Sequence, residues 1–221
     1  MATVTKTITE SGGGGDYTTI QGWIDDLDES SIYSSSDIAI GLVSGDHEIS
    51  TRVVFNLGGD VGLTQARITV AEANRHDGTE GTGVTLTVST SNNYCWNASS
   101  TVSGDGNMQR VMEWLEWDYE DTNHGGDEWI TYGDGGGGGT ITRAPSFSHC
   151  LVHSVDAENN IGRIVSGGGW WGSFHNNILY DMTGTTTTWF RGFNYGGGMY
   201  PHLVCNNTIY NINAGNNPSA F

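Results

Sequence analysis

The chain has 221 residues, enough for one sizeable domain with its own core, and 34 glycines, about twice the usual share, against only 3 prolines. Its 25 acidic and 8 basic residues leave a formal net charge of -17, with Lys6 the single lysine. That balance argues against nucleic acid and anionic membrane partners, because phosphate binding needs clustered Lys and Arg.

The opening segment carries no basic stretch followed by an apolar run, so no signal peptide is expected, and no window approaches a membrane span. With Met1 as the start, synthesis in a cytosol follows. Cys95, Cys150 and Cys205 are odd in number, widely spaced and without a CxxC pair, the pattern of reduced, mostly buried thiols.

In chain order, Thr3, Thr5 and Thr7 alternate with Val4, Lys6 and Ile8 as a short strand, which "SGGGG" ends. Ile20, Trp23, Ile24 and Leu27 then fall on one helical face. Thr18 and Gln21 have capping-box spacing, so the helix is predicted to start near Thr18. Strands follow at Asp37 to Val43, Arg52 to Leu57, Ala66 to Ala73, Gly83 to Thr90 and Arg110 to Tyr119, each bounded by turn residues, with no second helix. Residues 1–30 therefore read as a strand and capping helix, and 31–221 as coils continuous with it.

The C-terminal third repeats itself. "FSHCLVHSV" (Phe147 to Val155), "FHNNILYDM" (Phe174 to Met182) and "VCNNTIYNI" (Val204 to Ile212) align without a gap, at intervals of 27 and 30 residues. Apolar columns coincide, and His149–Cys150, Asn176–Asn177 and Asn206–Asn207 share one polar position. A strand recurring at that period, with glycine-rich loops between copies, is the signature of a solenoid. Stacking at about 4.8 Å lets Asn bond to Asn up the stack. "VMEWLEWDY" (Val111 to Tyr119) reads as a looser copy with Glu113–Trp114 in the place of the Asn pair. The competing architecture is a β-sandwich, against which stand the long intervals and the scarcity of two-residue hairpin turns, chiefly Asp77–Gly78 and Asp105–Gly106.

The opening "GGGGDYTTIQGWIDDL", followed by the repeated "NNxI" strands, resembles the entry to right-handed parallel β-helix proteins of the pectate-lyase type. "TVTKTITESGGGGDYTTIQGWIDDLDESSIYSS" with "RHDGTEGTG" is similar to β-helix proteins of tailed bacteriophages, over mainly residues 1–90. The resemblance implies an all-β right-handed parallel β-helix with an N-terminal capping helix, located in a virion and made in the host bacterial cytoplasm. It implies a capsid-surface decoration, or a tail spike or fibre module that binds or hydrolyses host polysaccharide. Expected partners are other virion proteins, copies of the same chain in a homo-oligomer such as a trimer, and carbohydrate. The ending "NAGNNPSAF" supplies no capping helix, so the last coil is expected to be covered by another chain or by further polypeptide.

Catalytic constellations are sparse. A lyase needs an Arg or Lys base beside a calcium-binding acidic cluster, and neither Lys6 nor Arg143, Arg163 or Arg191 lies beside one. A hydrolase needs two carboxylates; Glu116 and Asp118 on one strand face, beside Trp114 or Trp117, are the candidates, otherwise an exposed acidic edge. His149 and His153, read as one strand, stand roughly 13 Å apart and cannot share a metal. Gly133 to Gly139 lacks the GK[ST] ending of a phosphate loop. "GGGWWGS" and "RGFNYGGGMY" offer aromatics near glycine loops, suited to a subunit contact or a sugar platform. The resulting expectation is a structural protein with no catalytic residues, no metal and no cofactor.

Overall fold

A computed structural model describes residues 1–10, 13–54, 62–89, 96–97, 108–120, 130–131, 146–157, 162–167, 173–195 and 203–219. Every strand pair among the described residues is parallel. Hairpin-connected sandwich sheets are antiparallel, so the sandwich alternative falls. The chain is an all-β parallel solenoid of three sheets.

The first sheet has seven strands, from Thr3–Thr9 through Ile38–Ser44, Gln65–Val70, Gln109–Glu113, Ser146–Ser148 and Ser173–His175 to Leu203–Cys205. The second has six: His47–Ile49, Val84–Val88, Leu115–Asp118, Leu151–His153, Ile178–Leu179 and Thr208–Ile209. The third runs from Val53–Val54 through Trp96–Asn97, Ile130–Thr131 and Gly162–Gly167 to Met182–Tyr195, which also pairs with Val155–Ala157 and Ile212–Ser219.

The repeat is the register. Phe147 pairs with Phe174 and Phe174 with Val204; Val152 pairs with Leu179 and Leu179 with Ile209; Val155 pairs with Met182 and Met182 with Ile212. These columns face inward as continuous apolar seams, and Phe147, Phe174, Val152, Leu179, Val155 and Met182 are at most 1% exposed. The earlier copy is offset by one residue from the sequence alignment, since Phe147 pairs with Met112 rather than Val111. A corner fixes the offset. Trp114, His149, Asn176 and Asn206, with φ of 64°, 54°, 59° and 55°, form one left-handed column between the first and second sheets. Glu120, Ser154, Asp181 and Asn211, with φ of 50–56°, form a second column after the second sheet. The segment expected as one strand from Arg110 to Tyr119 is therefore two, bent at Trp114. Tyr119 is an extra residue before the Glu120 corner.

The N-terminal helix spans Ile20–Asp25. Thr19, not Thr18, is its N-cap, accepting from Gly22 N at 3.0 Å. Ile20, Trp23, Ile24 and Leu27 are buried as predicted, and Trp23 Nε1 donates to Tyr33 Oη at 3.1 Å. Gly41 lies beneath this helix, where a Cβ would come within 2.9 Å of both Ile8 and the Trp23 ring. Only a residue without a side chain lets the helix approach the sheet that closely.

Gln21 has a different task from the capping-box role its spacing suggested. Its amide donates to Val54 O at 3.0 Å and accepts from Val54 N at 2.7 Å, so a side chain pairs with the first strand of the third sheet as a neighbouring strand would. The other two sheets are closed similarly. Tyr17 exchanges backbone bonds with Thr7 and Thr9 at the first strand of sheet one, and Glu10 Oε1 accepts from Glu48 N at the first strand of sheet two. Glu10, Tyr17 and Gln21 thus satisfy edge groups of all three sheets, which would otherwise template association.

Of the expected aromatic and glycine features, Asp105–Gly106, Gly133 to Gly139, residues 168–172 and residues 196–200 lie outside the described residues, as do Cys95 and Arg143. Residues Arg52 to Leu57 are described only as far as Val54.

Candidate functional site

The polar side chains that the repeat brings together converge on the two corners and on the outer surface of the second sheet. At the inner side of the first corner, Asn177 is fully buried. Its Oδ1 accepts from Cys150 N at 3.0 Å, and its Nδ2 donates to Phe147 O at 3.1 Å and to Asn207 Oδ1 at 3.0 Å. Asn207 Oδ1 also accepts from Asn177 N at 3.0 Å, and its Nδ2 donates to Phe174 O at 3.0 Å. This is the expected Asn ladder. It stops at Cys150, whose side chain is buried with its thiol pushed up to about 12 by desolvation. Cys205 is exposed, contrary to the expectation of buried thiols, because it sits on the outer side of the last described strand of sheet one.

The outer side of the same corner carries a row of rings. Trp114 stacks on His149 with centroids 4.4 Å apart, and His149 meets His175 edge-on at 5.7 Å. Arg75 covers Trp114 at 4.7 Å. Asn176 Nδ2 donates to His149 Nε2 at 2.9 Å and to His175 Nδ1 at 3.2 Å, so both nitrogens act as acceptors. Burial first, and then the charge of His175, hold the His149 pKa below its ordinary value. His149 and His153 do not share a strand face as the sequence suggested. The left-handed turn at His149 places it at the corner between the first and second sheets, while His153 lies on a strand of the second.

Between the corners lies the acid singled out from sequence. Glu116 is 1% exposed, and its carboxylate accepts from Gly81 N at 2.9 and 3.0 Å and pairs with His153 Nε2 at 3.0 Å. His153 Nδ1 reaches Ser154 Oγ at 2.9 Å and stands 3.7 Å from Asp118. Burial alone would raise the Glu116 pKa, but the bonds from His153 and Gly81 outweigh it and lower it. Burial alone would lower that of His153, but the Glu116 bond and the Asp118, Glu116 and Glu80 charges outweigh it and raise it. Both charged forms are favoured, and the two groups form a buried ion pair.

That pair is roofed by the segment Arg75 to Gly83. His76 Nε2 lies 2.7 Å from His149 O, Gly81 N holds Glu116, and Tyr180 Oη donates to Glu80 at 3.3 Å, a contact between residues 100 apart in sequence. Asp77 Oδ1 accepts from Thr79 N at 2.9 Å and Thr82 Oγ1 at 3.1 Å, which folds the tip back at Gly78, φ 99°. The Asp77–Gly78 pair is thus the tip of this clasp rather than a hairpin turn. Above His153, Tyr180 stacks at 5.1 Å, and Tyr210 stacks on Tyr180 at 5.2 Å with planes only 3° apart. Tyr210 is 50% exposed.

The carboxylate pair considered for hydrolysis is therefore divided, and Glu116 does not stand on an exposed acidic edge either: Glu116 is enclosed, while Asp118 is half-buried and receives Glu120 N at 2.9 Å. Trp117 is wholly inside the solenoid and Trp114 is occupied by His149 and Arg75, so neither presents an open ring face to a sugar. Glu113 takes Arg67 at 3.3 Å and Thr69 at 3.0 Å. Among the described residues, no group of three or more His, Cys, Asp or Glu is placed to hold a metal ion, and no helix is long and apolar enough to cross a membrane.

By its sheets and ladder the chain belongs among parallel β-solenoids. No family model matches it, and neither a curated protein nor a solved structure matches it.

Proposed function

We propose that the chain is a structural protein of a phage particle, a decoration of the capsid surface. The observation that carries this reading is the commitment of its outward polar groups to the solenoid itself. Glu116 bonds to His153 and Gly81, Asn176 to His149 and His175, and His76 to His149, rather than lining an open cleft. Such bonding suits a rigid, acidic building block, and a net charge of -17 keeps such a surface soluble and self-repelling. The particle setting rests on the resemblance of residues 1–90 to phage β-helix proteins. Mass spectrometry of purified particles tests it: a decoration appears at copy numbers comparable to the major capsid protein, whereas absence from particles overturns the reading.

One observation favours a second reading, a tail spike or fibre module that binds host polysaccharide. Tyr210 offers half its surface at the end of the His153–Tyr180 stack, and an exposed tyrosine ring is a surface on which a sugar can lie. A few copies per particle, with glycan binding lost in Tyr210→Ala, would select this alternative. A reducing-sugar assay on host capsule with Glu116→Ala and Asp118→Ala controls tests hydrolysis separately.

A further inference from the structure

A groove of about 460 Å³ opens where the N-terminal helix meets the first strands of sheets two and three. Ile20, Ile49 and Val53, each no more than 5% exposed, make its apolar floor. Glu10 and Glu48, both exposed, stand at its rim, and its lining contains neither Lys nor Arg. His47 also lines it; this side chain is 5% exposed, and its Nε2 has no hydrogen-bond partner.

The backbone adds a further acceptor. In a parallel ladder, successive residues direct their amide and carbonyl groups to opposite neighbours. Ser89 N donates to Ile49 O, so His47 and Ile49 face strand Val84–Val88 and the intervening Glu48 faces the other way, toward the groove. The Glu48 amide is taken by Glu10 at 3.1 Å, which leaves its carbonyl on the groove side. Ser89 Oγ occupies Glu48 Oε1 at 2.6 Å, and Thr19 Oγ1 accepts from Gly22 N at 3.0 Å. Two carboxylates and a carbonyl thus stand around an apolar floor, with an unpartnered imidazole nitrogen buried in the groove wall.

We propose that this groove binds an organic ammonium ligand with an aliphatic stem, of the alkyl diamine or polyamine class. An ammonium group carries three donors and no acceptor, the complement of an acceptor-rich rim, and its methylene chain covers Ile20, Ile49 and Val53. The volume falls in the range of small-ligand pockets. A bare divalent cation is a poorer match, because His47, Glu10 and Glu48 do not form a group placed to hold a metal ion.

Calorimetric titration of the whole chain with cadaverine tests the site, with 1,5-pentanediol as the uncharged counterpart. One saturable site is expected, with no binding of the diol. Replacing both rim acids (Glu10→Gln with Glu48→Gln) should weaken binding at least tenfold, whereas Glu72→Gln with Glu120→Gln, the same charge change on exposed acids elsewhere, should leave it within about twofold. Glutamine at position 10 retains an acceptor for the Glu48 amide, so the sheet edge stays closed. Equal weakening in both double variants would mean diffuse attraction to an acidic chain and would overturn the proposal, as would magnesium chloride displacing cadaverine at equal concentration. In the unsubstituted chain, the His47 imidazole resonances should shift saturably with added cadaverine; resonances that stay fixed refute the site whatever the variants do.

Discussion

Asn177→Ala removes a side chain that serves two coils at once. Cys150 N loses its only acceptor in this ladder, Phe147 O loses its side-chain donor, and the Asn207 carbonyl oxygen keeps only the Asn177 backbone amide. The site is fully buried and flanked by Phe147 and Phe174, so water is not at hand to replace the amide. Orphaning the buried Cys150 amide costs about 1–3 kcal/mol, and the lost bonds to Phe147 O and Asn207 add to it, against a typical total of about 5–15 kcal/mol. Solenoid stability is built from nearest-neighbour coil contacts, so the loss should concentrate in the coils around residues 147–212. Urea unfolding followed by tryptophan fluorescence measures the size, and amide exchange at Cys150 measures the place. Asn177→Asp sharpens the test. It retains the acceptor for Cys150 N but loses both donors and sets a negative charge against Phe147 O and Asn207 Oδ1, so at neutral pH it should cost at least as much as alanine. Asn206→Ala, at an exposed corner position, should cost only about 1 kcal/mol for placing alanine in the left-handed region. A loss below about 0.5 kcal/mol for Asn177→Ala, or equal losses at 177 and 206, would refute the ladder as the source of coil registration.

The remaining expectations concern the ion pair, the sheet edge and the second corner. His153, with its pKa raised from 6.5, contributes stability that is complete below that value and fades as pH rises through the raised one; Glu116, lowered from 4.5, contributes stability that is complete above 4.5 and fades as pH falls through the lowered one. Thermal melts across pH should therefore show the advantage of the natural chain over His153→Gln to be greatest between about 4.5 and 6.5 and to shrink on either side, and a pH-independent difference would contradict the charged pair. Gln21→Ala should destabilise by about 1–3 kcal/mol through the unpaired Val54 amide and carbonyl, with increased self-association in light scattering. Glu120→Asn should raise the unfolding free energy by up to about 1 kcal/mol, since Glu120 is exposed at φ 50° and asparagine already occupies that corner at Asn211. A loss on that substitution would show that the Glu120 side chain holds a contact outweighing backbone strain.

The part of the fold that sequence displays is the part that repeats. Column identity is a local property: Phe147, Phe174 and Val204 had to be alike because they occupy one environment, and so did Asn177 and Asn207. Sequence failed where one residue changed the phase. With Trp114 at the left-handed corner, the strand from Gln109 to Glu113 and the strand from Leu115 to Asp118 read as one apolar run, and nothing in tryptophan signals a positive φ the way Asn176 and Asn206 do. Asparagine tolerates that conformation and so advertises the corner; tryptophan and histidine are held in it by the ring stack they share.

The clasp was hidden for a different reason. Arg75, His76, Glu80 and Gly81 form no periodic pattern, and their partners lie 35 to 100 residues away at positions set only once the coils have stacked. Glu116 alternates with Leu115 and Trp117 as an outward strand residue does, so its burial beneath the clasp leaves no mark in the sequence. Sharing a strand face with Asp118 made Glu116 a hydrolase candidate in sequence, and its burial is what commits it to structure. A carboxylate held by two amide contacts and an imidazolium is stabilised as the anion, the opposite of what a general acid requires, and its pKa is driven down where catalysis would need it up.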